Sequence, residues 1–206
     1  MKSTTHPVAT YLAQLQETVA NLPVDLIDRV IAILLESARQ GNKVFIFGNG
    51  GSASTASHFA CDLAKNTQIP GAPRFRVIGL TDNMALMTAW ANDTAFDNIF
   101  AAQLSPLIEP NDVVIGISCS GNSANVLKAM EVARRHGATT IGFTGDHGGQ
   151  LKDRVDLCIQ VPSPRIEQQE DAHLILEHCI CAAIRAEWVN TSAQTTIISP
   201  QEVLVS

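Results

Sequence analysis

The chain has 206 residues, 46% of them hydrophobic, and a formal net charge of −6. That length and apolar content provide for one domain with a real core and exclude a disordered chain, while the acidic balance argues against nonspecific nucleic-acid binding. No apolar run approaches the roughly 18–20 residues of a membrane span, the N-terminus lacks an apolar signal core, and five cysteines with no C-x-x-C pair read as reduced thiols of a cytoplasmic protein.

In chain order, residues 8–21 carry Val8, Tyr11, Leu12, Leu15 and Val19 at helical spacing, and Pro23 ends that helix. Residues 24–40 repeat the pattern and are apolar over more than one face. That suits either a core helix or one that also packs against another subunit. After the Gly41-Asn42 turn, Val44-Phe45-Ile46-Phe47 reads as a buried strand. Gly48, Asn49, Gly50, Gly51 and Ser52 follow as a loop, and a helix is expected from about Ser54 to Lys65. Phe75–Thr81 reads as a second strand and Asn83–Trp90 as a short helix, with Asn92 and Asp93 in a turn-like setting after it. Phe96–Leu107 reads as helix and Asp112–Ile117 as a third strand, leading into Ser118-Cys119-Ser120-Gly121-Asn122-Ser123. A helix over 124–135, a strand over 139–144, a strand over 155–161 and a long helix over 166–188 complete the pattern. Residues 8–188 form one domain on this reading, with 8–40 as N-terminal helices and 41–188 as the core. Residues 189–206 read as a loosely held tail.

Strands alternating with helices indicate an α/β fold, a doubly wound five-stranded parallel sheet. Ligands of such sheets bind beyond the carboxyl ends of the strands, where the loops 48–54 and 118–123 fall. Each loop joins a buried strand to a helix N-terminus, so free N–H groups, the helix dipole and the serine hydroxyls favour a phosphate. Gly48 to Ala53 fits G-x-G-x-x-A, but the acidic residue of a dinucleotide site would stand about 20 residues on, and the second strand ends much later, at Thr81-Asp82. Neither a G-x-x-x-x-G-K-[ST] loop nor a G-x-S-x-G elbow is present.

His58 and Asp62, at i and i+4, share one helix face. On the last helix Glu170, Leu174 and His178 share a face, with His173 and Glu177 on neighbouring faces. Two histidines with two carboxylates suit zinc or another divalent metal, or equally two hydrogen-bonded acid–base couples without one.

G-N-G-G-S, H-F-A-C-D, A-N-D, I-S-C-S-G-N-S and E-D-A-H-L-I-L-E-H resemble the sugar isomerase (SIS) domain, and within it the phosphoheptose isomerases, over almost the whole chain. The resemblance implies an aldose–ketose isomerase that interconverts sedoheptulose 7-phosphate and D-glycero-D-manno-heptose 7-phosphate through an enediol. It implies substrate contacts at Asn49, Gly50, Gly51, Asn92, Asp93, Ser118, Cys119, Ser120 and Ser123, to which the loop reading adds Ser52.

 Asn92 and Asp93 are both among these contacts, as are Asp62 and Glu170. The resemblance also implies an acid–base or metal cluster of His58, Asp62, Glu170 and His178, and a homotetramer with active sites between subunits. Isomerisation needs a base and an acid, for which Asp62 and His178 are the candidate catalytic pair, or a metal held by the four residues to polarise the carbonyl instead. The family usually has Glu where Asp62 stands, Gln where Glu170 stands and Thr where Cys119 stands. These changes shorten a carboxylate, add a negative charge and trade a hydroxyl for a weak donor. Two other expectations follow from the wider superfamily: a non-enzymatic tetramer that binds the bacterial replication initiator, and an isomerase or etherase of another sugar phosphate.

Overall fold

The computed structural model describes residues 6–197, with side chains through Thr191. Two helices, α1 (Pro7–Ala20) and α2 (Val24–Gln40), lead into β1 (Lys43–Gly48), and Gly41 closes α2 in the left-handed conformation at φ 72°. Then come α3 (Gly51–Lys65), β2 (Arg76–Gly79), α4 (Met84–Asp93), α5 (Ile99–Leu104), β3 (Val113–Ser118), α6 (Ala124–Arg135), β4 (Thr139–Thr144), β5 (Leu157–Gln160) and α7 (Ile166–Ile197). The five strands form one sheet in the order β2-β1-β3-β4-β5, and every pair is parallel. This is the expected doubly wound α/β architecture. The chain leaves β1 in one direction and resumes on its other side at β3, so the strand order reverses between them. A crevice opens there at the carboxyl ends.

All six residues of both β1 and β3 are buried, as a sheet covered on both faces requires. Side chains alternate between two cores. Val44, Ile46, Ile115 and Ile117 pack with α2, α3 and α7, while Phe45, Phe47 and Val114 pack with α5 and α6. The buried carboxylate of Asp112 ties the amino ends of β1 and β3 together. It accepts from the backbone N–H of Lys43 at 2.7 Å and of Glu109 at 2.8 Å, and lies 3.3 Å from Lys43 Nζ.

Several boundaries differ from the sequence reading. Helix α3 starts at Gly51, three residues early, because Gly50 (φ 56°) turns the chain straight out of the loop. Asn92 and Asp93 lie in the last turn of α4, not in a turn after it. The stretch 96–107 divides into a 3₁₀ turn at Phe96–Asn98 and the short α5. Helix α7 runs to Ile197, well past the expected start of a tail, and Trp188 is buried against the first core. The remainder of the expected tail lies outside the described residues.

His173 of α7 is fully buried and stacks on Phe143, with ring centroids 6.1 Å apart. Its Nε2 lies 3.2 Å from the Thr144 carbonyl, so that nitrogen carries the proton and donates. Burial pushes this imidazole down to about 4, although the carbonyl pulls the other way.

Two outcomes are expected. Asp112→Ala leaves the backbone N–H groups of Lys43 and Glu109 without their acceptor and the Lys43 ammonium with Glu109 as its remaining partner, and should cost about 2–4 kcal/mol in urea unfolding. A loss below about 1 kcal/mol would mean that water serves those groups as well. His173 protonates near 6.5 when unfolded and near 4 when folded. Its stabilising contribution is therefore complete above pH 6.5 and is lost as pH falls towards 4. The melting temperature of His173→Gln should fall less steeply than that of the wild type between pH 6.5 and pH 4.

Candidate active site

Two loops meet at the crevice between β1 and β3. Gly48 ends β1 where a Cβ would lie 2.8 Å from the Ile117 carbonyl oxygen, so only glycine allows this approach. Asn49 then exchanges side-chain amide hydrogen bonds with Asn125 of α6, at 2.8 and 2.9 Å. That pair joins the first loop to the helix that the second loop opens.

In the second loop three hydroxyls converge. Ser118 Oγ lies 3.1 Å from Ser123 Oγ and 3.4 Å from Ser120 Oγ. Ser123 occupies the N-cap position of α6 but its side chain makes no capping bond; Val126 N–H donates to Asn125 Oδ1 at 2.9 Å, so the Ser123 hydroxyl and the amides of Ala124 and Asn125 remain available to a ligand. The loop after β4 supports this arrangement from behind. Gly145 N–H donates to the Cys119 carbonyl at 2.9 Å, Leu151 N–H to the Gly121 carbonyl at 2.9 Å, and Gln150 N–H to Asn122 Oδ1 at 3.0 Å. Cys119 Sγ lies 3.9 Å from His173 Nδ1, and burial raises its thiol pKa. A small pocket of about 160 Å³ is lined by Asn49, Ser52, Ser118, Cys119, Ser120 and Ser123, and Glu170 closes one side.

The second centre lies between α3 and α7. His58, Asp62, Glu177 and His178 each offer one ligand atom, and the four atoms lie within 4.8 Å of one another. The two histidine Nε2 atoms are 3.4 Å apart. Asp62 Oδ2 is 3.7 Å from His58 Nε2 and 3.9 Å from His178 Nε2, and its Oδ1 accepts from Asn66 Nδ2 at 2.6 Å. Glu177 Oε1 is 3.2 Å from His178 Nε2 and 3.7 Å from His58 Nε2. Yet neither Glu177 oxygen has an aligned hydrogen-bond donor, and its side chain is 0% exposed. Burial and the charge of Asp62 push its carboxyl up to about 8. Two imidazoles and two carboxylates form a donor set that could hold a metal ion.

The structure brings His58, Asp62 and His178 together but not Glu170. Eight residues separate Glu170 from His178, a rise of about 12 Å along a helix. The Glu170 carboxylate lies instead over Gly51, where a Cβ would overlap it, at the N-terminus of α3. That end of α3 thus already faces a carboxylate, and the serine loop is the better place for a phosphate. Gly50 is exposed at the mouth of the first loop. Asn92 and Asp93 are exposed at the end of α4, bonded to each other at 2.9 Å, and neither lines the serine pocket. Sequence reasoning placed Glu177 on a neighbouring face. Its signal was a charged residue at a position that the helical pattern buries, between Leu176 and Ile180.

A family profile described as "SIS domain" matches residues 9–145. The chain is 42% identical over 163 residues to the phosphoheptose isomerase of Thermodesulfovibrio yellowstonii, covering 78% of this chain and 80% of that protein. It is 43% identical over 153 residues to that of Trichlorobacter lovleyi, covering 73% of this chain and 76% of that protein. Among solved structures, a phosphoheptose isomerase from Francisella tularensis superposes with a TM-score of 0.81 at 31% identity, over 87% of this chain and 97% of that one. With the phosphate-type loops and the four-residue cluster on the same fold, the chain belongs to the SIS-domain family and, within it, to the phosphoheptose isomerases.

Proposed function

We propose that this protein interconverts sedoheptulose 7-phosphate and D-glycero-D-manno-heptose 7-phosphate. One observation carries the reading: α3 starts beside the serine pocket and also carries His58 and Asp62 into contact with His178. A binding module needs a phosphate pocket but has no use for two histidines and two carboxylates in one cluster. The names of the relatives favour the same activity.

The hydroxyls of Ser118, Ser120 and Ser123, with the Ala124 and Asn125 amides that open α6, hold the phosphate on carbon 7. Asn49 and Ser52 border it. Carbons 1 and 2 lie at the opposite end of the sugar and point along α3 towards the cluster. Asp62 takes the proton from the carbon beside the carbonyl and returns it to the neighbouring carbon. His178 hands a proton between the two oxygens, so that the enediol forms and collapses with no net gain or loss of protons. His58, Asp62 and His178 would hold zinc or another divalent ion, which when bound supplies the polarisation of the carbonyl that otherwise falls to His178.

We also propose a cytoplasmic homotetramer. Helix α4 has no buried residue, and Met84, Leu86 and Trp90 stand exposed on it. Val8 and Leu12 of α1 and Val24 of α2 are exposed as well. Such apolar surface suits burial between copies. A neighbour covering α4 would also bring Asn92 and Asp93 into an enclosed setting. No helix among the described residues is long and apolar enough to cross a membrane.

Purified protein should isomerise sedoheptulose 7-phosphate, measured with and without added zinc. Asp62→Asn should lower kcat by at least about a hundredfold, the scale of a lost general base. Ser123→Ala should weaken sugar-phosphate binding by about 1–3 kcal/mol with an unchanged far-UV CD spectrum. Wild type that binds the sugar phosphate and never isomerises it would overturn the enzymatic reading. Sedimentation at micromolar concentration should give a mass near four chains, and a stable monomer would remove the assembly.

A further inference from the structure

We infer that His173 is a positioning residue of the substrate pocket: its imidazole takes the thiol hydrogen of Cys119 and ties the serine loop to the carboxyl end of β4. The inference rests on the reading of that loop as the phosphate site and names what holds the loop in shape.

The first argument is the polarity of the ring. The Thr144 carbonyl can only accept, so the Nε2 that lies 3.2 Å from it carries the ring hydrogen. Burial, which pushes this imidazole down to about 4, keeps the ring neutral at physiological pH, so Nδ1 is bare and can only accept. Cys119 Sγ lies 3.9 Å from that nitrogen, and its thiol can supply the hydrogen. The order of donors therefore runs one way, from Cys119 to His173 and from His173 to Thr144. Burial raises the Cys119 thiol, and a hydrogen bond from the Ser52 side chain pulls it the other way, so the sulfur also accepts from the first loop. At 3.9 Å the thiol contact is long, as contacts in an unliganded pocket are before a ligand tightens them.

The second argument is placement. His173 is 0% exposed and stacks on Phe143, which stacks in turn on Phe59 with centroids 6.3 Å apart. A ring packed in that way keeps its polar edge fixed. Next to Thr144, the Gly145 N–H holds the Cys119 carbonyl at 2.9 Å. Cys119 is thus gripped at its side chain and its backbone from one end of β4. It stands between Ser118 and Ser120 and lines the pocket with them, so its position sets theirs. A role in packing alone would be filled by an aliphatic side chain like the adjacent Ala172 and Leu176. A buried imidazole costs more than these, and the cost is met only where its polar atoms have partners.

The test is binding of sorbitol 6-phosphate, a sugar-alcohol phosphate with no carbonyl to isomerise, titrated calorimetrically into full-length protein. Gln and Asn at 173 separate the two contacts. Gln carries its amide at the level of Nε2 and can still donate to Thr144, whereas Asn carries an oxygen at the level of Nδ1 and can still accept from Cys119. His173→Gln should weaken binding about three- to tenfold, the scale of one lost hydrogen bond. His173→Asn should stay within about twofold of wild type. Added to Cys119→Ala, His173→Gln should weaken binding no further, because its effect runs through the thiol. The proposal is overturned by a His173→Gln protein that binds like wild type, by a loss of the same factor with and without the thiol, or by the reverse order of Gln and Asn. Should the 173 variants fail to fold, the infrared S–H stretch of Cys119 decides, identified by subtracting the Cys119→Ala spectrum. With the probe bound it should lie below the frequency of a free thiol, and a free-thiol frequency overturns the proposal. Because the probe cannot react, failure of the assay with sedoheptulose 7-phosphate leaves this result standing, whereas a wild type that binds no sugar phosphate overturns both.

Discussion

The steric constraint at Gly48 underlies the rest of this structure. The backbone there passes so close to the end of β3 that no side chain fits between them. That approach brings the two loops into one crevice, where the Asn49–Asn125 amide pair can link them. It also launches α3 directly from the crevice, through the left-handed Gly50. The direction of α3 then decides where His58 and Asp62 go. A bulkier residue at 48 would push β1 and β3 apart and move both the phosphate-side loop and the cluster.

Glu170 and Glu177 show that burial and function are balanced by different means within one helix. The first carboxylate is compensated by the backbone dipole of a neighbouring helix and keeps contact with an open pocket. The second has no such backbone partner and depends on the imidazoles beside it. A buried ionisable group without hydrogen bonds is expensive for the fold, and such groups persist where chemistry requires them.

Much of this was legible in the sequence. Strand and helix order, the parallel sheet and the two ligand loops follow from runs such as Val44–Phe47 and from the glycines and serines after them. The pairing of His58 with Asp62 follows from helical spacing alone. What spacing cannot give is the depth at which one helix meets another. Glu170 shares a face with His178, yet the packing of α7 on α3 stations it over Gly51. Glu177, one residue before His178, is turned inward by the same packing. The extension of α7 beyond Asn190 was hidden for a similar reason, because polar residues there offer no apolar stripe to follow.

The spacing of these contacts has a consequence for how the chain can vary. Gly51 and His58 are seven residues apart on α3, and their respective neighbours Glu170 and Glu177 are seven apart on α7. The two helices therefore keep a common heptad register across the site. One residue inserted or deleted between 170 and 177 would swing one carboxylate about 100° around α7 while leaving the other in place. The residue types in that interval have latitude, whereas its length has none, and indels should be tolerated in the loops around the sheet long before they are tolerated here.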